Sequence, residues 1–194
     1  NRLIIDYCAK TDKDTIINLT NHSYFNLDGQ DKNTDVLDHE LQIFSSFMTE
    51  NDENCLPTGE IKSVKNTPFD FLLPRKIGEK INEDNIQLKN GNGYDHNFIL
   101  NRNDDNCILA ACAKSTDKKV TLNVYTTQAG LQLYTGNYLD GEIKGKNNIK
   151  YKKYSGFALE AQGFPNSMAF SHFPSPILRK DNIYKHQTIF EIKY

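Results

Sequence analysis

The chain has 194 residues, 25% of them charged, and a formal net charge of −2. Near-balanced charge without a basic stripe speaks against nucleic acid or an anionic membrane surface as a partner. No apolar run approaches the ~20 residues that a bilayer span needs, while the length is enough to bury a sizeable core.

From the N-terminus onward the periodicity is that of β-strands. Asn1 stands where a methionine would open a gene product and no leader pattern follows it, so the chain reads as a piece of something longer. Strands are expected over 2–10, 15–27, 38–46, 97–101, 107–115, 119–127, 131–139, 156–162 and 188–194. These runs are rich in Ile, Leu, Val, Tyr, Phe and Thr and are bounded by Gly, Asn, Asp and Pro. In 119–127 the alternation is clean, Val120, Leu122 and Val124 against Thr121, Asn123 and Tyr125. The segment 74–81 is the one helical expectation, with Pro74 suited to a first helical position. Many strands, turn-forming residues between them and almost no helix imply an antiparallel sandwich or barrel. With no linker, repeat or low-complexity tract, residues 1–194 read as one domain or most of one.

Chemistry-bearing patterns are few. The four cysteines, Cys8, Cys55, Cys107 and Cys112, show no C-x-x-C spacing, and Cys107 and Cys112 should point to opposite faces of a strand. Free thiols in a reducing, cytoplasmic setting are the expectation. Sequons at Asn18 and Asn21 lie in so apolar a run that they read as accidental. No phosphate-cradling glycine loop, H-E-x-x-H, paired Cys/His ligand spacing or G-x-S-x-G occurs, so a metal site is not expected.

What remains is a handful of polar side chains inside apolar strands: His22, Asp95 with His96, Gln128, Gln132 and Glu160. Glu160 lies between Leu159 and Ala161, where an unpaired carboxylate is costly to bury. Either it is bonded structurally, or its face of the sheet is a ligand cleft and desolvation raises its pKa toward that of a general base. His22 taken alone reads as a satisfied core histidine, Asp95 as a turn aspartate after Gly-Asn-Gly, and His96 as a structural donor beside it. Phe25, Tyr94, Tyr134 and Tyr138 read as core, although aromatic rings beside polar groups also suit a sugar.

Five stretches together resemble the aldose 1-epimerase (galactose mutarotase) family: NLTNHSYFNLDG (18–29), LPTGEI followed by TPFDF, GYDHNFIL (93–100), VYTTQAGLQLYTGNYLDG (124–141), and GFALEAQGFPNS followed by FPSPILR. The resemblance implies an all-β fold, a large antiparallel β-sandwich of the galactose mutarotase-like supersandwich type, here lacking its N-terminal part. It implies a cofactor-free interconversion of the α and β anomers of a free aldose such as galactose or glucose. Glu160 matches the general base, His22 the general acid at the ring oxygen, Asp95 a carboxylate that holds sugar hydroxyls, and Gln132, less surely Gln128, a pocket residue. Moving one proton off and one on at two oxygens of one acetal calls for such a pair at one small site.

The family's upstream half, with a further histidine and an Asn-Arg pair, has no counterpart here, so a missing N-terminal half is expected to complete fold and site. In 160–175, MAFSH stands where the family has an Asn/Pro-rich loop, and His172 is expected at the surface. The alternatives are a non-catalytic carbohydrate-binding domain, a glycoside hydrolase using Asp95 and Glu160, and a hexose-phosphate epimerase relative. The last needs an arginine-rich pocket, and the arginines, Arg2, Arg75, Arg102 and Arg179, are dispersed.

Overall fold

A computed structural model describes residues 1–32 and 34–194. The strands are β1 (Arg2–Ala9), β2 (Thr15–Ile16), β3 (Tyr24–Phe25), β4 (Glu40–Ile43), β5 (Ser45–Asn51), β6 (Pro57–Ser63), β7 (Arg75–Lys76) and β8 (Asp95–Leu100). They continue as β9 (Ile108–Lys114), β10 (Thr121–Thr126), β11 (Gly130–Tyr134), β12 (Asp140–Lys144), β13 (Lys150–Lys152), β14 (Phe157–Gln162), β15 (Ile177–Leu178) and β16 (Tyr184–Lys193). One six-stranded sheet has the order β1-β16-β10-β9-β4-β7 and a second has the order β3-β14-β11-β8-β5-β6, with β12-β13 and β15-β2 as small ribbons. Pairing is antiparallel in every ladder.

Alternation explains how the two sheets meet. Leu131, Leu133, Phe157, Leu159 and Phe98 of the second sheet share one buried cluster with Leu41, Ile43, Leu122, Val124 and Phe190 of the first. The rings of Phe25 and Phe190 join the sheets at a centroid distance of 5.1 Å. With that face buried, residues at the intervening positions of β8, β11 and β14 must project from the other side of the second sheet.

Several expectations are corrected. The run 38–46 is not one strand: β4 belongs to the first sheet and β5 to the second, and the chain turns the corner at Phe44. The expected helix at 74–81 is β7 followed by a 3-10 turn at Ile77–Glu79. There the Ile77 and Gly78 N–H groups donate to the His39 and Leu37 carbonyls, so the backbone is bonded across the fold and not along a helix. The α-helix is Ile86–Asn90, started by Asn85, whose side chain accepts from the Gln87 N–H at 2.9 Å. Strand β6, with Glu60 and Lys62 exposed, lacks an apolar signal because it is the edge of its sheet. Among the described residues no helix is long and apolar enough to cross a membrane. All four cysteines are free.

The largest difference concerns 15–27. Only Thr15–Ile16 and Tyr24–Phe25 pair as strands, so His22 sits in irregular backbone just before β3. Side-chain amides take over from the ladder there. Asn18 donates to the Gly163 carbonyl (3.1 Å) and accepts from the Gly163 N–H (2.8 Å). Asn21 Oδ1 accepts from the Ser23 N–H at 3.1 Å, closing a turn around His22.

Candidate active site

The outer face of the second sheet gathers the polar residues. Gln132 on β11 lies opposite Glu160 on β14 and opposite Asn97 on β8. One step along, Tyr134 lies opposite Ala158 and Asp95, and Ala158 in turn lies opposite Tyr24. Glu160, His22, Gln132 and Asp95 thus come together at the same end of one sheet face. Gln132 Nε2 donates to Asp95 Oδ1 at 2.7 Å. His22 Nε2 is 3.4 Å from Glu160 Oε1, an electrostatic contact looser than an ordinary hydrogen bond.

The environments of the two carboxylates follow from this placement. Burial pushes the Glu160 carboxyl above the usual carboxylate range; His22 opposes the shift and the Asp95 charge adds to it. Burial also raises Asp95, against the bond from Gln132 and the proximity of His22. A carboxylate that titrates high beside a ring nitrogen is able to take a proton from a weak acid near neutral pH.

Rings bracket the imidazole. His22 lies 4.9 Å from the Tyr24 ring and 5.9 Å, edge-on, from the Tyr134 ring. Ala158, between the two tyrosines in register, is too small to displace them. The Tyr134 hydroxyl accepts from the Tyr138 N–H at 3.2 Å. Among the four aromatics expected in the core, only Tyr94 is fully buried there; Phe25 packs partly against it. Tyr134 lines the site and Tyr138 is 62% exposed beside it. The signal was present in the spacing: Tyr134 follows Gln132 by two residues in a strand and shares its face.

The other polar candidates fall elsewhere. Gln128 donates to the Tyr184 hydroxyl (2.8 Å) at the Arg102 and His186 end of the fold. His96 points into the core: its Nδ1 accepts the Asp95 N–H at 3.0 Å, which leaves the ring proton on Nε2, and burial pushes its pKa down to about 3. His172 is exposed, as expected, yet its ring nitrogen meets the Gly59 carbonyl at 2.8 Å. Sequence reasoning missed Asn97, two residues beyond Asp95 and therefore on the same face, and Asn18, which ties the His22 segment to the end of β14. No group of three His, Cys, Asp or Glu side chains among the described residues is placed to hold a metal ion.

The fold and site define an antiparallel β-sandwich with an imidazole–carboxylate pair beside a second carboxylate on one sheet face, and comparison with known proteins gives its family. The profile of the aldose 1-epimerase family matches residues 1–191, and the chain belongs to that family. It is 43% identical over 188 residues to a galactose mutarotase of Sus scrofa, covering 97% of this chain and 53% of that protein. It is 38% identical to an aldose 1-epimerase of Escherichia coli, over 98% of this chain and 55% of that one. Among solved structures, a GalM/aldose epimerase homologue from C. elegans superposes with a TM-score of 0.86 at 28% identity, covering 100% of this chain and 56% of its own. A galactose 1-epimerase from Lactobacillus acidophilus gives 0.83 at 34% identity, over 100% and 53%. The chain therefore spans about half the length of the relatives it matches.

Proposed function

We propose that the protein to which this chain contributes is an aldose 1-epimerase acting on free aldohexoses. The observation that carries the reading is the 3.4 Å approach of His22 Nε2 to Glu160 Oε1 on the face that also presents the Asp95–Gln132 pair. Glu160 takes the proton of the anomeric hydroxyl while His22 protonates the ring oxygen, and the C1–O5 bond opens to the free aldehyde. Rotation about C1–C2 presents the other carbonyl face, and closure with the roles reversed gives the opposite anomer. The two oxygens concerned are bonded to one carbon, so an acid and a base already in contact reach both when a pyranose lies across the pair. Asp95 and Gln132 hold hydroxyls farther round the ring, and Tyr24 and Tyr134 present apolar surface to its C–H faces. The mechanism employs no cofactor.

In this proposal residues 1–194 are one domain, the C-terminal part of the sandwich, and a further part of the protein completes the site. Free thiols support a cytoplasmic setting. The phosphate-sugar alternative is weakened by where the arginines are engaged. Arg2 pairs with Glu191, Arg179 with Asp14, Arg75 with the Asp70 carbonyl, and Arg102 with the Gln128 carbonyl.

The test is polarimetry of freshly dissolved α-D-glucose and α-D-galactose with the complete protein and with Glu160→Gln and His22→Asn. Anomers are expected to equilibrate rapidly with wild type, and each variant to lose about 10²–10⁴-fold. Binding without acceleration would favour a carbohydrate-binding module, and full activity in Glu160→Gln would remove the base assignment.

A further inference from the structure

The polar row on the outer face does not stop at the site. It runs from Glu160 through Gln132 to Asn97. The register that sets Met48 opposite Phe98 brings Thr49 of β5 alongside Asn97. Asn97 is 1% exposed and Thr49 is completely buried. Neither end of the Asn97 amide, nor the Thr49 hydroxyl, nor Gln132 Oε1 has a hydrogen-bond partner among the described residues. Folded proteins rarely leave such groups dry.

Two features shape the space around them. Gly130 makes room: a Cβ there would lie 2.3 Å from Asn97 Oδ1 and 3.1 Å from the Gln162 carbonyl oxygen. The segment 163–173 provides a cover. It leaves the end of β14 and is fastened to β6 by the contact of His172 with the Gly59 carbonyl (2.8 Å) and by Phe170 beside Gly59. Strands β11, β8 and β5 lie between those two anchors, so the segment crosses the row. Phe164 and Phe173 within it are buried.

We infer that the row encloses a built site for ordered water, held by Asn97, Thr49 Oγ1 and Gln132 Oε1. Three convergent polar side chains match the two to four partners that an internal water ordinarily takes. Its role follows from the amide of Gln132. Nε2 donates to Asp95, so Oε1 faces away along the row and needs a donor; reversal of the amide would set oxygen against carboxylate. A water donating to Oε1, itself held by Asn97 and Thr49, fixes that orientation. Asn97 and Thr49 are then positioning residues for the pair that holds the sugar, which rests on the proposed function.

The test has two arms on the complete protein. A crystal structure at about 1.5 Å resolution, with the amides assigned from their hydrogen-bond networks, is expected to show water within ~3.2 Å of the Asn97 amide and of Thr49 Oγ1 or Gln132 Oε1. An Asn97 amide bonded directly to protein with no water beside it overturns the inference. In the polarimetric assay Thr49→Val and Asn97→Leu are expected to raise KM about tenfold with kcat nearly unchanged, the loss of one hydrogen bond in ground state and transition state alike. Thr49→Ser is expected to keep the wild-type KM. Unchanged KM in Thr49→Val, or an equal loss in Thr49→Ser, overturns the positioning role; this pair also decides the matter if Asn97→Leu does not fold. A wild-type protein that fails to equilibrate free sugar defeats the proposed function, and the water site is then judged on electron density alone.

Discussion

Two buried glutamates show how environment separates a carboxylate held ionised from one whose pKa is raised. Glu191 accepts from Asn123 and Arg2 and lies beside Lys193, and these contacts bring its pKa down to about 2. Among the described residues Glu160 has no such donors, only the 3.4 Å approach of His22, and burial raises it. A carboxyl raised on folding resists ionisation in the folded state. Its penalty is absent below the unfolded value, near pH ~4.3, and grows as pH rises through the folded value. Glu160→Gln is therefore expected to stabilise the protein by about 1 kcal/mol at pH 7.5 and by nothing measurable at pH 4. Thermal unfolding at the two pH values checks this; a variant less stable at neutral pH would mean that the carboxylate is bonded in place. The same shift puts the acidic limb of the kcat/KM profile above the ordinary carboxylate range.

The irregular stretch between β2 and β3 aims His22 without a ladder. Its anchors are the two bonds of Asn18 to Gly163 and the turn closed by Asn21. Because Gly163 directly follows β14, Asn18 fastens the His22 segment to the strand that carries Glu160. Asn18→Ala is expected to cost about 1–2 kcal/mol from two lost hydrogen bonds, read from denaturant midpoints. With His22 as the proposed acid, it is also expected to lower kcat by about tenfold through a looser imidazole. Lost stability with unchanged kcat would show that β3 pairing alone sets the imidazole.

The molecule as a whole presents apolar surface at its open edges. Strand β1 ends its sheet, pairs only with β16 among the described residues, and leaves Leu3 and Ile4 56% and 52% exposed. At the β3 edge an apolar groove runs between the sheets past Phe25, Leu139 and Ile192. Exposed strand edges template association, and the curated relatives are nearly twice as long as this chain. We propose that a further part of the protein covers these surfaces. Produced alone, the 194-residue chain is expected to self-associate at micromolar concentration, and Ile4→Lys to diminish this in sedimentation velocity. A stable monomer would show that the edges need no cover.

Strand identity was readable wherever one face is buried, because alternation is imposed locally by the pleat; β9, β10 and β14 fall within a residue or two of their expected bounds. Glu160 and Gln132, polar positions in apolar strands, were nameable for the same reason, whereas Asp95, expected in a turn, was singled out by the family resemblance. The corner at Phe44, the strand β6 and the irregular path around His22 were not, since each is settled by partners distant along the chain: the Ala110 carbonyl, the backbone of β5, and Gly163. Composition and local pattern thus determined which side chains were available for chemistry. Which of them touch, and which polar groups stay unpaired beneath the 163–173 crossing, depended on the register between strands and on connections that turn back over the sheet.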